Sequence, residues 1–116
     1  MKDYLQVADE YHSGYGKLSN DIPGPTAAFN DLVGKVITDG ALSVKTKELI
    51  AFGIAITVRC DGCIAAHAKS IFKAGASREE VAEMIGVAIL MGGGPSTVYG
   101  VEAMRAYDQL AKANED

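Results

Sequence analysis

Apolar residues recur at helical spacing through most of this 116-residue chain, in segments that glycine and proline interrupt. Apolar positions three and four residues apart predict amphipathic helices. One stretch, from Leu49 to Val58, is rich enough in β-branched residues to suggest a strand, but the sequence offers no second strand to pair with it. The polar lead-in 45–48 also favours a helix there. The sequence therefore predicts an all-α fold of about six helices in one domain, 1–116.

Helix start and stop signals set the predicted boundaries. Short helices are expected over 4–11, before a glycine-containing break through Gly16, and over 26–38 after the prolines at 23 and 25. Ser43 is a plausible N-cap for a third helix that runs to about residue 58, and a fourth helix is expected over 61–73. Ser77 and Glu80 form a capping box for the fifth helix. The glycines 92–94 end that helix, and Pro95 suits the first turn of a sixth.

Two of these helices carry specific expectations about burial. The third is apolar on nearly every side from Leu49 onward, so it is expected to be central and buried. The last helix is expected to turn one apolar side to the core, and the residues on that side are Val98, Val101, Met104, Tyr107 and Leu110.

The composition limits the partners and the location of the protein. Apolar residues make up 48% of a short chain, which has much surface for its volume, so some are expected to bury against other copies in a homo-oligomer. The net charge of −4 and the scattered Lys and Arg give no reason to expect binding to nucleic acid or an anionic membrane. The N-terminus lacks an apolar signal core, so a cytoplasmic protein is expected. Cysteines there are seldom structural disulfides.

Cys60, Cys63 and His67 form the constellation that carries chemistry. At positions i, i+3 and i+7 the three share one face of a helix, which brings the two sulfurs within disulfide reach and places an imidazole one turn from Cys63. Cys60 falls at the start of the predicted helix, where free amides and the helix dipole stabilise a thiolate. A thiolate attacks peroxides and disulfides, and His67 can accept or return its proton.

Other interpretations of this constellation stay open. The cysteines can be small buried hydrophobic residues, or Cys60, Cys63 and His67 can bind a structural zinc ion with Glu48 as fourth ligand. Covalent haem is excluded because Ile64, not histidine, follows the second cysteine. Along one straight helix Glu48 would stand about 18 Å from Cys60. Glu48 therefore reaches the thiols only if the chain bends sharply near Arg59 or if a neighbouring subunit supplies it.

The residues 48–51 (ELIA) and 59–67 (RCDGCIAAH) resemble the core motif of the AhpD-like alkylhydroperoxidases in the carboxymuconolactone decarboxylase family. The likeness extends from Pro23 to the final helix. It implies an all-α fold, assembly as trimers or hexamers, and a relay in which Glu48 and His67 manage the protons of the two thiols. Some members carry a histidine between the cysteines, where this chain has Gly62. Carboxymuconolactone decarboxylases proper generally lack the cysteine pair.

The sequence thus predicts a thiol-dependent peroxidase or disulfide reductase with Cys60, Cys63, His67 and Glu48 as catalytic residues. Its substrate would be a peroxide or a disulfide, and an external lipoyl-type or thioredoxin-like dithiol would restore it, with no cofactor or metal. The helix position favours Cys60 as the attacking thiol, whereas His67 one turn away favours Cys63, to which we give a slight preference. Two rival hypotheses are decarboxylation of a small lactone acid by His67 and Glu48, and a non-catalytic oligomer with a structural zinc site.

Overall fold

The computed structural model describes residues 2–115, which form six α-helices and no strand. The helices are α1 (Tyr4–Asp21), α2 (Pro23–Val36), α3 (Val44–Thr57), α4 (Asp61–Lys73), α5 (Arg78–Gly92) and α6 (Gly94–Ala113). The predicted all-α fold of about six helices is therefore confirmed. None of the six combines the length and the apolar character that spanning a membrane requires.

The core lies among the last four helices. Helix α3 packs against α4, α5 and α6, and α4 also packs against α6. Helix α1 lies across α4 and α6, whereas α2 packs against α1 and, within residues 2–115, against no other helix. Helix α4, which carries the cysteines, is thus held on three sides. The largest fully buried side chains are Phe52, Ile56, Ile64, Ile71 and Val81.

The predicted capping residues start their helices as expected. The Ser43 hydroxyl accepts a hydrogen bond from the Thr46 amide at 3.1 Å, at the start of α3. The Ser77 hydroxyl accepts from the Glu80 amide at 3.1 Å, and the Glu80 carboxylate accepts from the Ser77 amide at 2.9 Å. Gly93, with φ of 72°, is the single residue between α5 and α6. This left-handed conformation suits glycine, so the predicted break falls at the glycine run.

The predicted end of the first helix is wrong. Helix α1 continues unbroken through Gly14 and Gly16 to Asp21. Glycine inside a helix costs about 1 kcal/mol relative to alanine, but the residues around it are held by tertiary contacts. The Tyr15 hydroxyl donates to the Thr26 carbonyl at 3.3 Å and contacts Asn30 Oδ1 at 3.1 Å, both on α2. These contacts to α2, together with the packing of α1 against α4 and α6, hold the helix through the two glycines.

Two expectations about burial are also wrong. Helix α3 is central, but Ile50, Ile54 and Val58 are about half exposed or more, because neighbouring helices cover only one of its sides. On α6 the side chains of Val98 and Val101 are exposed as well. One subunit therefore leaves a large apolar surface uncovered.

Tyr4 anchors α1 to α6. Its ring is buried, its hydroxyl donates to Glu102 Oε2 at 2.7 Å, and its amide donates to Gln109 Oε1 at 2.8 Å. The hydrogen bond from Tyr4 lowers the pKa of Glu102, and burial raises the pKa of Tyr4. The contact thus favours a neutral phenol beside an ionised carboxylate.

Replacing Tyr4 with phenylalanine is expected to lower the free energy of unfolding by about 1–2 kcal/mol near neutral pH, since a hydrogen bond to a charged group is lost. The folded-state pKa of Glu102 lies below its ordinary value of 4.5. Its stabilising contribution is therefore present above that value and is lost as the pH falls through the folded-state pKa. Urea unfolding of both proteins near neutral pH and near pH 3 measures the effect, and an undiminished difference in acid would contradict it.

Candidate active site

A sharp reversal after α3 brings the candidate residues together. Arg59 has φ of 58°, in the left-handed region, and Cys60 is extended before α4 begins. The Arg59 amide donates to the Ile56 carbonyl and the Cys60 amide to the Ala55 carbonyl, both at 3.2 Å. A left-handed residue other than glycine costs about 1–2 kcal/mol, so this turn is held by its surroundings. It provides the bend near Arg59 that the sequence required if Glu48 was to reach the thiols.

Cys60 and Cys63 are joined by a disulfide, with their Cα atoms 5.2 Å apart. Cys60 is the N-cap of α4, and its Sγ accepts a hydrogen bond from the Cys63 amide at 3.2 Å. Both residues are half-buried. The predicted proximity of the two sulfurs is therefore confirmed, and the predicted position of Cys60 at a helix start is confirmed too. A thiolate formed there would be stabilised by the free amides and dipole of α4.

Glu48 and His67 form a hydrogen-bonded pair within one subunit. Glu48 Oε2 lies 2.8 Å from His67 Nδ1. Glu48 is buried, with only 4% of the residue exposed. A buried carboxylate is costly unless it has a partner, and His67 is that partner. With a proton on Nδ1 donated to Glu48, His67 Nε2 is left to accept another.

A cavity of about 620 Å³ opens above these residues. Its floor includes the two cysteines, Glu48 and His67. Helix α4 adds Gly62, Ala66 and Ser70, and the facing wall comes from α1 and α2, through Tyr11, His12, Tyr15, Phe29, Asn30 and Val33. Sequence reasoning missed these wall residues because their position over the disulfide depends on how α1 and α2 pack, and because the first helix was predicted to end before His12 and Tyr15. The four-residue spacing of the tyrosines at 11 and 15 was the available signal.

Two contacts frame the segment between the cysteines. A Cβ placed on Gly62 would lie 4.0 Å from Tyr11 Cγ, so the tyrosine ring is next to the backbone at this position. On the solvent side Lys2 Nζ forms an ion pair with Asp61. The two residues between the cysteines are therefore each held by a side chain of the N-terminal region, Gly62 by the Tyr11 ring and Asp61 by Lys2.

The zinc hypothesis fits this arrangement poorly. The two sulfurs that would bind the ion are bonded to each other. In the part of the chain that the structure describes, no group of three or more His, Cys, Asp or Glu side chains is arranged to hold a metal ion. The geometry instead places a disulfide-bonded pair of sulfurs in one cavity with a carboxylate–imidazole pair.

Comparison with known proteins finds relatives that are similar to this chain over most of its length. The chain is 34% identical over 101 residues to an uncharacterized protein of Cupriavidus necator, covering 87% of this chain and 89% of that protein. It is 36% identical over 83 residues to an uncharacterized protein in the cox locus of Paracoccus denitrificans, covering 72% of this chain and 75% of that one. These relatives share most of the length of the chain.

Two solved structures share the fold. An apo carboxymuconolactone decarboxylase family protein from Legionella pneumophila superposes with a TM-score of 0.91 at 36% identity, over 93% of this chain and 96% of that one. A Thermotoga maritima member of the same family, for which a role in the antioxidative response has been suggested, gives 0.77 at 28% identity, over 89% and 91%. The model of the carboxymuconolactone decarboxylase family matches residues 23–106, which include the disulfide, Glu48 and His67. The chain therefore belongs to the carboxymuconolactone decarboxylase family, as its AhpD-like motif predicted.

Proposed function

We propose that this protein is a thiol-dependent oxidoreductase that reduces a hydroperoxide or a disulfide with the dithiol form of Cys60 and Cys63. One observation carries the proposal: a disulfide at a helix N-terminus shares an open cavity with a hydrogen-bonded Glu48–His67 pair. Sulfurs and a proton carrier in one accessible site are the groups that thiol redox chemistry requires.

The proposed reaction with a hydroperoxide has two steps. The Cys63 thiolate attacks the terminal oxygen, the O–O bond breaks, and the alcohol leaves with a proton as Cys63 becomes a sulfenic acid. The Cys60 thiol then attacks the Cys63 sulfur, which forms the disulfide and releases water. In sum, one dithiol and one hydroperoxide give one disulfide, one alcohol and one water.

An external dithiol of lipoyl or thioredoxin type then restores the thiols. Attack of its thiolate on the Cys63 sulfur would release Cys60 as a thiolate, which the Cys63 amide, 3.2 Å away in the oxidised form, can stabilise. A second thiolate of the donor breaks the mixed disulfide and leaves the donor oxidised. The cytoplasm supplies such donors, and we place the activity there.

Glu48 and His67 would manage the protons of this cycle. Glu48 orients the imidazole through Nδ1, which leaves Nε2 to take the Cys63 proton and later to protonate a leaving group. His67 is accessible enough to exchange protons with solvent, since about a third of its side chain is exposed, whereas Glu48 is buried. His67 would therefore transfer protons, and Glu48 would hold its imidazole in position.

The proposal is tested on the reduced protein with one equivalent of hydroperoxide. Mass spectrometry should find a loss of two hydrogens confined to the peptide that contains Cys60 and Cys63. Thiol titration as a function of pH should find at least one thiol with a pKa below the ordinary value of about 8.5. Two unreactive thiols with ordinary pKa values would refute the proposal.

Proton chemistry without redox is the second candidate. The family description names a lactone decarboxylase, and the Glu48–His67 pair could transfer protons to a small lactone acid without either sulfur. This function would not explain the cysteines in the same cavity, so we rank it second.

We also propose that the protein is a homo-oligomer; the family resemblance suggests a trimer or hexamer. Helices α3 and α5 leave an apolar groove of about 460 Å³ whose lining contains no charged residue. At roughly 100 Å² for each large apolar side chain, this α3–α5 face supplies most of the ~800 Å² that one partner contributes to a standard interface. An uncharged face can meet its own copy without repulsion. Its most exposed side chains, at 48–80%, are Ile50, Ile54, Val58, Val87, Leu90 and Met91.

Replacing Ile54 with glutamate is expected to dissociate the oligomer, because the interface would have to bury an unpaired carboxylate. Leu32 on α2 provides a matched control, since Ile54 is 55% and Leu32 is 56% exposed. Sedimentation velocity should find Leu32→Glu assembled and Ile54→Glu smaller, with circular dichroism verifying that both are folded. A monomeric wild type, or an Ile54→Glu protein of unchanged size, would exclude the α3–α5 face as the interface.

A further inference from the structure

We infer that the wall which α1 and α2 build over the disulfide is a subsite for an apolar, flat group attached to the reacting bond of the substrate. The inference rests on the proposed function, because the reacting bond is the O–O or S–S bond that the cysteines attack. The substrate would then carry an aryl group, and Tyr11 and Phe29 would select it.

The size of the cavity is the first observation. A water molecule occupies roughly 30 Å³ of liquid, and hydrogen peroxide is only slightly larger. The cavity measures about 620 Å³, within the range of sites that enclose whole organic molecules. A substrate as small as hydrogen peroxide would leave most of this space to water, whereas a substrate with an organic body would fill it.

The distribution of polar groups is the second observation. The groups that carry chemistry lie on the α3–α4 side, where Glu48 and His67 sit beside the disulfide. The opposite side presents the aromatic rings of Tyr11, Tyr15 and Phe29 and the aliphatic side chain of Val33. Its other polar residues are His12 and Asn30, and the Asn30 Oδ1 already accepts from the Tyr15 hydroxyl at 3.1 Å. Aromatic rings favour other flat apolar groups through offset or edge-to-face contacts. A substrate with a polar reacting end and an aryl body matches both sides at once.

The third observation is that the wall is held in place next to the reacting atoms. The Tyr11 ring lies 4.0 Å from where a Cβ on Gly62 would be, directly beside the segment between the cysteines. The Tyr11 and Tyr15 rings are in tilted contact, with centroids 5.7 Å apart. The Tyr15 hydroxyl lies within hydrogen-bond distance of two acceptors on α2, the Thr26 carbonyl and Asn30 Oδ1. An aryl group against Tyr11 would thus be held close to the sulfurs rather than at the cavity mouth.

Phe29 has a matched control on its own helix. Phe29 and Leu32 are both about half exposed on α2, but only Phe29 lines the cavity. If exposure alone mattered, alanine at either position would have the same effect. If the subsite exists, only Phe29→Ala changes the choice of substrate.

The experiment measures kcat/KM for cumene hydroperoxide, an aryl hydroperoxide, and for hydrogen peroxide. A parallel arm compares an aromatic disulfide, 4,4′-dithiodipyridine, with the aliphatic hydroxyethyl disulfide, and so decides whether the reacting bond is O–O or S–S. Whichever pair of substrates the wild-type protein reduces, it should have the higher kcat/KM for the aryl member of that pair. Phe29→Ala and Tyr11→Ala should each reduce that preference about tenfold, chiefly by raising KM. Leu32→Ala and the ring-retaining Tyr11→Phe should keep it.

The outcomes separate this inference from the proposed function. Absence of turnover in both arms would refute the function itself. Turnover without aryl preference, or with equal preference in Phe29→Ala and Leu32→Ala, would overturn the subsite and leave the redox function standing. A change of sedimentation coefficient in Phe29→Ala but not in Leu32→Ala would show that the wall is instead covered by a second copy, which also overturns it.

Discussion

A Cys63→Ser variant is expected to lose hydroperoxide and disulfide reduction by at least about a thousandfold. Removing the nucleophile of a covalent mechanism abolishes the step that all the other groups assist. Serine is close in size and the site is only half-buried, so the fold should be retained. Steady-state turnover with an excess dithiol donor measures the loss, and circular dichroism verifies the fold.

The companion variant Cys60→Ser distinguishes the roles of the two sulfurs. If Cys60 only resolves the intermediate, this protein should still react once with a hydroperoxide and accumulate a sulfenic acid on Cys63, which dimedone labels. Labelling of Cys60 in the Cys63→Ser protein instead would reverse the assigned order of attack. If both variants kept full activity on a lactone acid and wild type reduced no peroxide or disulfide, the decarboxylase hypothesis would replace the redox one.

A Glu48→Gln variant is expected to lower kcat by about a hundredfold, the second-largest effect. The amide has the same shape as the carboxylate but can donate as well as accept, so it no longer fixes the proton of His67 on Nδ1. General acid–base assistance contributes about 10²–10⁴ in rate, and a misoriented imidazole forfeits most of it. The rate of thiol alkylation by iodoacetamide, measured beside kcat, should fall too if His67 helps to form the thiolate.

Glu83, exposed on α5, supplies the matched control for this substitution. Glu83→Gln removes the same charge far from the cavity lining and should leave kcat unchanged. A Glu48→Gln protein that is as fast as Glu83→Gln would show that Glu48 is a buried structural partner of His67 and nothing more.

Local sequence signals predicted much of this fold, because they act within a few residues. Ser43 and the pair Ser77 and Glu80 satisfy free backbone groups at helix starts, and that requirement can be read without tertiary information. Helix α4 has the predicted limits, Asp61–Lys73. The i, i+3 spacing of Cys60 and Cys63 likewise sufficed to predict that their sulfurs meet.

Features that depend on tertiary contact were missed. Nothing in the local sequence marks Arg59 as left-handed, since that conformation is usual for glycine. The sequence could therefore name a bend near Arg59 only as one of two ways to bring Glu48 to the thiols, and the family resemblance, not the spacing, paired Glu48 with His67. The extension of α1 past its glycines depends on Tyr15 contacts to α2. The exposed sides of α3 and α6 were predicted to be buried because their residues are apolar. An apolar pattern predicts burial but does not tell whether the same chain or a second copy covers the surface.

The reversal at Arg59 brings all the proposed catalytic groups together within one short segment of the chain. Glu48 and His67 are 19 residues apart, with both cysteines between them, so one helical hairpin carries every proposed catalytic group. The opposing aromatic side chains Tyr11 and Tyr15 precede the stretch 23–106 that the family model matches. Phe29, the other ring of the wall, lies inside that stretch, so only the α1 part of the wall stands apart from it. Homologues with the same hairpin but a different first helix should therefore differ in what they bind rather than in how they react.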